Sequence, residues 1–225
     1  MNSLKRRVVM SWGTRFVLLS ALVFVPANTL AFPRGWAFLA VYFLLQAGMV
    51  GYFLRTDPKF VERRLKIGPG AETRTRQKLV MVLVIVCSFV SIMIAGYDHR
   101  FGWSQVSVVV SLAAYVVMVI GMGIQFRVFM ENSFASATIE IAADQKVIAT
   151  GPYAFVRHPM YSGALLTDCC IPLALGSWWA LLPVVAKVPV IVIRLLDEEE
   201  FLRANLPGYA EYCQKVRHRL IPAIS

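Results

Sequence analysis

The sequence predicts an all-α polytopic membrane protein with about six transmembrane helices and a short C-terminal interfacial helix. Hydrophobic residues make up 58% of the 225 residues, and the mean hydropathy is +0.62. This composition leaves too little polar surface for a water-soluble globule. Apolar runs of about 20 residues, enough to cross a hydrocarbon core about 30 Å thick, recur along the chain. Basic residues collect in alternate segments between these runs.

The first four predicted spans lie in the N-terminal half of the chain. They are residues 16–32, 35–54, 79–96 and 106–126. Lys5, Arg6 and Arg7 precede the first apolar run, as in a secretory signal peptide. Thr29-Leu30-Ala31 is a poor cleavage site and Pro33 would follow the cut, so whether the first span is retained stays open.

Two connecting segments between these spans differ in charge. Residues 55–78 are strongly basic and are broken by Gly68-Pro69-Gly70, which predicts a loop. Residues 97–104 are predicted to form a short loop on the opposite side of the membrane.

The last two predicted spans, 160–175 and 178–196, form an antiparallel hairpin because only the turn Gly176-Ser177 separates them. Asp168 and Lys187 then lie at the same depth. A charged side chain inside a bilayer costs roughly 2.5–3.5 kcal/mol on insertion scales, so we predict that the two form an ion pair across the hairpin. The simpler alternative is a protonated Asp168 and a Lys187 that reaches towards the membrane surface.

The placement of the 23 Lys and Arg residues predicts the orientation. All except Arg34, Arg100 and Lys187 lie in segments that share one side of the membrane. By the positive-inside rule both termini are cytoplasmic, and we expect a protein of the bacterial inner membrane. The net charge of +10 therefore reflects membrane orientation, and we expect no nucleic-acid partner.

The cysteines do not suggest a metal site. Cys87, Cys169, Cys170 and Cys213 lie in apolar runs or in the tail, without C-x-x-C or Cys/His ligand spacing. We expect no metal and no disulfide framework.

The most sharply punctuated polar segment runs from Gly151 to Gly163. Gly151-Pro152 predicts a turn. Pro159 is suited to the first position of a helix, where its missing N–H would be unsatisfied anyway. The partial positive charge of that helix start, beside Arg157 and His158, would attract an anion. Alternatively, the two basic residues are only interfacial anchors.

An acidic segment follows the sixth predicted span. Asp197 and three glutamates come directly after Arg194-Leu195-Leu196. The simple interpretation is a pair between Arg194 and Glu198 one helical turn apart, with the other acids solvated. The functional interpretation is that these carboxylates neutralise a cation or accept hydroxyls from a ligand, facing the helix start at Pro159.

Two further segments are expected to lie near this region. Residues 138–141 and 146–149 suggest a small surface hairpin. Residues 201–222 mix apolar side chains with charges, which suits a helix that lies on the inner face and covers the site.

Two separated motifs together resemble one family. They are Gly151-Pro152-Tyr153 with Arg157-His158-Pro159-x-Tyr161-x-Gly163, and Arg194-x-x-x-Glu198-Glu199-x-x-Leu202 with Gly208-Tyr209-x-x-Tyr212 and Arg219-Leu220-Ile221-Pro222. This pattern resembles the isoprenylcysteine carboxyl methyltransferases and the related membrane phospholipid methyltransferases. Glu131-Asn132 also looks similar to the family. The resemblance covers about residues 125–225.

The resemblance implies a membrane-embedded methyltransferase that uses S-adenosylmethionine. It divides the chain into N-terminal helices, 1–125, and a methyltransferase core, 126–225. The residues that would line the cofactor pocket are Tyr153, His158, Pro159, Tyr161, Glu198 and Glu199. Arg157 and Arg194 would lie close to the reacting end, and we assign a catalytic role to them and to Glu199.

The acceptor implied by the resemblance is lipophilic and comes from the membrane. Carboxyl O-methylation of an isoprenylcysteine-like or other lipophilic molecule is the first hypothesis, with Arg157 or Arg194 orienting the carboxylate. Methylation of a phospholipid amine or of a thiol stays open, and would need a base such as His158 or a glutamate. A hypothesis of another class is a non-catalytic membrane protein or transporter built around Asp168 and Lys187.

Overall fold

The computed structural model describes residues 2–65, 70, 74–132 and 146–222. These residues form eight α-helices: α1 (Asn2–Ala27), α2 (Pro33–Thr56), α3 (Pro58–Leu65), α4 (Thr75–Phe101), α5 (Val108–Glu131), α6 (Pro159–Leu175), α7 (Leu181–Asn205) and α8 (Tyr209–Lys215). A short 3-10 turn, Gly151–Ala154, precedes α6. The all-α prediction is therefore confirmed for the part of the chain that the structure describes.

Four helices are long and apolar enough to cross a membrane: Ser3–Ala27, Pro33–Thr56, Thr75–Phe101 and Val108–Glu131. They correspond to the first four predicted spans of an integral membrane protein. The remaining two predicted spans are helices, α6 and α7, but they do not meet the same criteria. With 17 residues, α6 is only about 25 Å long. Six spans are therefore not supported by length and composition alone, whereas four are.

Several predicted boundaries are wrong. Helix α1 already begins at Asn2 and ends at Ala27, so the basic N-terminal residues are part of it. Helix α4 continues to Phe101, which leaves a shorter connection than the loop predicted at 97–104. The basic segment 55–78 contains α3, a helix that sequence reasoning missed.

The tail is also divided differently from the prediction of one interfacial helix. Helix α7 runs without a break through the acidic segment to Asn205, and α8 follows after a turn at Gly208. The predicted surface hairpin, 138–141 with 146–149, falls mostly outside the described residues. Residues 146–149 are irregular.

Helix packing follows a simple arrangement. Helix α6 packs mainly along α5, and α7 packs mainly along α4, which also contacts α1. The predicted α6–α7 hairpin exists, but each of its helices makes its main contact with another neighbour. One end of this bundle carries Arg7, Arg64, Arg157 and Arg194 and is called the basic end below. The other is called the opposite end.

Two glycines bring α5 and α6 into direct contact. A methyl group added at Gly163 would lie 2.7 Å from the carbonyl oxygen of Gly121, and one at Gly121 would lie 2.9 Å from the carbonyl oxygen of Gly163. Small residues allow such close approach of membrane helices. Next to this contact, Gly123 has no atom within 4 Å of the equivalent methyl position.

Asp168 and Lys187 form the predicted ion pair. Lys187 Nζ lies 2.6 Å from Asp168 Oδ2 and donates a second hydrogen bond to Ser88 Oγ, at 2.8 Å. The lysine is buried, with 1% of its surface exposed. Because Ser88 is on α4, this network joins α4, α6 and α7.

Asp98 organises the opposite end. Its carboxylate accepts hydrogen bonds from the backbone N–H of Ser104, at 2.8 Å, and from the hydroxyls of Ser104 and Ser177. The end of α4 is thereby attached to the connection between α6 and α7.

We expect Gly163→Ala and Gly121→Ala to destabilise the protein by about 1–3 kcal/mol, because the new methyl groups meet backbone atoms that cannot rotate away. Gly123→Ala is the matched control and should be neutral or slightly stabilising. Thermal unfolding in detergent measures the difference. Equal melting temperatures for all three variants would contradict the close α5–α6 contact.

Asp168→Asn or Lys187→Met alone should cost about 3 kcal/mol, because each leaves one charge unpaired in a buried position. The double variant should cost less than the sum of the two. A double-mutant cycle of unfolding free energies checks this. Additive losses would show that the two side chains do not interact.

Candidate active site

The start of α6 forms one wall of the site. Pro159 is its first residue and His158 occupies the N-cap position without a side-chain cap, as the sequence predicts. Gly151 begins the preceding 3-10 turn with φ +57°. A methyl group there would lie 2.9 Å from Glu131 Oε2, so this turn packs directly on the end of α5.

Tyr153 links this turn to two other segments. Asn132 Nδ2 donates to the Tyr153 hydroxyl at 3.0 Å, and the Tyr212 hydroxyl donates to the Tyr153 carbonyl at 2.8 Å. Burial raises the pKa of Tyr153 to about 12, so its phenol is neutral at physiological pH. The family-like Glu131-Asn132 pair thus does lie beside the 3-10 turn.

The carboxylate of Glu199 meets four basic side chains, of which Arg203 is the most distant, at 3.8 Å. Glu199 Oε1 lies 3.1 Å from Arg157 Nε and 3.2 Å from His158 Nε2, and Oε2 accepts from Arg219 Nε at 3.3 Å. The arginine and histidine of the α6 start and the glutamate of α7 are all buried. Sequence positions 157–158, 199 and 219 therefore meet at one carboxylate.

The ionisation of Glu199 depends on these partners. Burial acts to raise the pKa of its carboxyl group, but the hydrogen bond from His158 and the charges of His158, Arg157 and Arg219 outweigh burial and lower it. The group is a carboxylate at neutral pH.

The C-terminal segment covers the α6 start. The backbone N–H groups of Arg157 and His158 donate to the carbonyls of His218 and Arg219, each at 2.9 Å. The Ser162 hydroxyl donates to the Leu220 carbonyl. The prediction that the tail covers this region is confirmed.

Glu198 belongs to a second polar chain. It accepts a hydrogen bond from the Tyr161 hydroxyl at 2.8 Å, and this hydroxyl accepts one from Arg194 Nε at 3.0 Å. Arg194 Nη1 donates to Gln77 Oε1 at 3.0 Å. Gln77 Nε2 in turn donates to Asp197 Oδ2 at 2.6 Å.

Gln77 is a site residue that sequence reasoning missed. It is fully buried at the start of α4, inside the segment that the sequence predicts to be a loop. A lone glutamine among basic residues carries no recognisable signal. Its amide fixes the guanidinium of Arg194 and the carboxylate of Asp197 at once.

Two buried polar atoms in the tail have no hydrogen-bond partner among the described residues. They are the Tyr209 hydroxyl and His218 Nδ1. Burial raises the pKa of Tyr209 far above its ordinary value, and Glu198 and Glu199 are close enough to contribute to this shift. These atoms are available to a ligand held beneath the tail, and sequence reasoning assigned neither.

A cavity of about 290 Å³ adjoins this region on the side of the helix bundle. Phe60 and Phe129 line it, and Tyr153 and Met160 pack against the apolar cluster that contains both rings. The cavity therefore begins beside the residues that precede and open α6.

The structure brings the predicted site residues together at the basic end. They are Tyr153, Arg157, His158, Pro159, Tyr161, Arg194, Glu198 and Glu199. Arg157 pairs with Glu199 and also donates to the Arg217 carbonyl, at 3.2 Å. Among the described residues no group of three His, Cys, Asp or Glu side chains is arranged to hold a metal ion.

This fold and this site define an integral membrane enzyme whose polar residues meet at the ends of two helices. Residues 109–207 match the family model described as phospholipid methyltransferase. This match marks the chain as an S-adenosylmethionine-dependent methyltransferase. No curated protein was found to match the chain.

The residues at the site fit this cofactor chemically. S-adenosylmethionine carries an ammonium group, a carboxylate, ribose hydroxyls, an adenine ring and a sulfonium. Glu198 offers carboxylate oxygens for the ammonium or the hydroxyls, and Tyr209 and His218 offer unpaired polar atoms. Aromatic faces such as that of Tyr153 suit an adenine ring or a cation.

Glu199→Gln should lower the free energy of unfolding at pH 7 by about 2 kcal/mol, because it removes the negative charge that pairs with Arg157 and Arg219 and bonds to His158. The pKa of Glu199 is lowered in the folded state, so its contribution is complete above the ordinary value of 4.5 and is lost as pH falls through the lowered folded value. The wild type should lose this stabilisation on acidification, and the variant should not.

Thermal unfolding measured from pH 7 downwards tests this expectation. Glu200→Gln is the matched control, since Glu200 is an exposed neighbour on the same helix. Parallel pH profiles for the wild type and Glu199→Gln would contradict the role given to this carboxylate.

Proposed function

We propose that this protein methylates a carboxylate on a lipophilic acceptor, such as an isoprenylcysteine-like molecule, at the surface of the membrane. The observation that carries this proposal is the position of the cavity. It lies among α2, α3, α5 and α6, and Tyr153 and Met160 pack against the apolar cluster that forms part of its wall. A donor on the polar side and an acceptor chain on the apolar side would meet beside Met160.

Different site residues would contact different parts of the methyl donor. S-adenosylmethionine supplies an electrophilic methyl group on a positively charged sulfur. Glu198, oriented by Tyr161, neutralises the donor's positive charge or accepts its hydroxyls. Tyr153 and Tyr161 provide ring faces. Glu199 keeps the tail closed over the α6 start, which limits access of water.

Carboxyl methylation needs no base. The carboxylate oxygen forms a bond to the methyl carbon while the bond from carbon to sulfur breaks, and the electron pair remains on sulfur. No proton is transferred. The protein contributes alignment and electrostatic placement, with Arg194 or Arg157 near the reacting end. Arg194 is the better oriented of the two, because Tyr161 and Gln77 fix its guanidinium.

Methylation of a phospholipid amine is the second candidate, favoured by the description of the matching family. An amine must first lose a proton. His158 in its neutral form could accept it, since its Nε2 lies 3.2 Å from Glu199 and the carboxylate would stabilise the resulting cation. A thiol acceptor would also have to lose a proton. The non-catalytic alternative is set aside because the chain carries a methyltransferase domain.

We further propose that residues 126–225 form the methyltransferase core and that α6 and α7 lie in the bilayer with the first four spans. The Asp168–Lys187 pair supports this placement, because it removes the cost of two separate charges at that depth. The positive-inside rule then makes the basic end cytoplasmic, in a bacterial inner membrane.

Purified protein in lipid, given methyl-labelled S-adenosylmethionine, should label a prenylated cysteine derivative that has a free carboxylate. Label in a carboxyl ester is released by mild alkali, whereas label on a phospholipid amine is not. Gln77→Leu should lower kcat on the order of 10-fold, because Arg194 loses the amide that orients it. Alkali-stable label confined to phosphatidylethanolamine would replace carboxyl methylation by the second candidate.

A further inference from the structure

The cavity beside the site has a defined axis. It is lined by one face of α6, formed by Ala164, Thr167, Asp168 and Ile171, whose spacing places them on the same side of a helix. Met160 lies one turn before Ala164 on this face. The cavity therefore runs along about 10 Å of α6, from Ala164 past Asp168 to Ile171.

Arg64 of α3 stands at the basic end of this cavity. Its guanidinium carbon lies 4.1 Å from the centre of the Phe129 ring and 5.7 Å from that of Phe60. Its Nη2 lies 3.7 Å from Met160 Sδ. Aromatic faces and a thioether attract a cation only modestly, and they leave the directional N–H groups of the guanidinium without a strong acceptor.

The two buried arginines of the site, Arg157 and Arg194, have stronger partners. Arg157 is paired with Glu199, and Arg194 is bonded to Tyr161 and Gln77. No carboxylate within the described ranges forms an ion pair with Arg64. Arg64 is half-buried, and a partly desolvated charge without a counterion is stabilised when an anion pairs with it.

The other charged side chains along the cavity also leave its basic end positive. Arg15 of α1 also lines it and adds a second positive charge close enough to affect Arg64. Asp168 lines the far end, where Lys187 neutralises it at 2.6 Å. The basic end of the cavity is therefore positively charged. The Asp168 carboxylate lies away from Arg64 along the cavity and is already paired with Lys187.

Arg64 also lies near residues that we assign to the cofactor pocket. Tyr153 and Tyr161 are close enough to influence its guanidinium electrostatically, and Tyr161 is bonded to both Glu198 and Arg194. Burial lowers the pKa of Arg64 to about 10, so it remains protonated at neutral pH. A group bound to Arg64 would therefore face the cofactor pocket.

We propose that the cavity holds the hydrocarbon part of the methyl acceptor and that Arg64 pairs with an anionic oxygen group at its head. This inference rests on the proposed function and names the chemistry of the acceptor: an anionic amphiphile. The anion is a carboxylate or a lipid phosphate. If it is the carboxylate that becomes methylated, the ester product loses its charge and its pairing with Arg64, which favours its release.

Binding of a long-chain carboxylate and of its uncharged methyl ester tests this directly. The wild type should bind the carboxylate on the order of 10–100-fold more tightly than the ester, the range for hydrogen bonds to a charged group. Arg64→Gln should lose this preference and keep its affinity for the ester, which also shows that the cavity is intact. Arg64→Lys should keep part of the preference, because it retains the charge without the planar fork.

Arg63→Gln is the matched control. Arg63 precedes Arg64 on the same helix, is exposed and lies 3.8 Å from Asp57. It should retain the wild-type preference. An unchanged preference in Arg64→Gln would overturn the proposal. If Arg64→Gln also failed to bind the ester, Arg64→Lys would be the test instead. Equal affinities of Arg64→Lys for the acid and the ester would overturn the proposal.

Two further measurements distinguish a carboxylate from a lipid phosphate as the anion, and the anion site from carboxyl methylation. Phosphatidic acid that competes with the carboxylate in the wild type, but not in Arg64→Gln, would identify lipid phosphate as a natural ligand of Arg64. Calorimetry should give the same Kd for S-adenosylmethionine in both proteins. The protein could transfer methyl groups only to amines and still bind the acid more tightly than the ester through Arg64. That result would contradict carboxyl methylation but would support the anion site at Arg64.

Discussion

The ion cluster around the Glu199 carboxylate is the interaction on which the site depends. It connects the start of α6, the end of α7 and the C-terminal tail through Arg157, His158 and Arg219. Arg157 is buried, and its charge would be costly to bury without a counterion. One carboxylate therefore joins these three segments, and backbone hydrogen bonds from Arg157 and His158 to the tail add a second connection.

The membrane helices fix where these segments meet. The glycine contact sets the distance between α5 and α6, so that Asn132 at the end of one helix reaches Tyr153 just before the other. The Lys187 network sets α7 against α4 and α6. Packing deep in the bundle thereby determines the geometry of polar groups at its basic end.

The contrast among the arginines carries the functional interpretation. Arg157 pairs with Glu199, and Arg194 is bonded to Tyr161 and Gln77, so both are fixed parts of the site. Arg64 rests on aromatic rings and lines the cavity. The same side chain can therefore act as a structural tie at one position and as a binding group at another, and only its neighbours distinguish the two.

The sequence by itself determined the all-α fold, the first four membrane helices, the start of α6 at Pro159 and the Asp168–Lys187 pair. Hydropathy, proline chemistry and equal depth in a hairpin act over short stretches of chain, so they can be read locally. Only the tertiary structure decided that Gln77 orients Arg194, 117 positions away in the sequence, and that Arg64 lies against Met160. These contacts depend on how each helix is rotated against its neighbours, and no local pattern encodes that rotation.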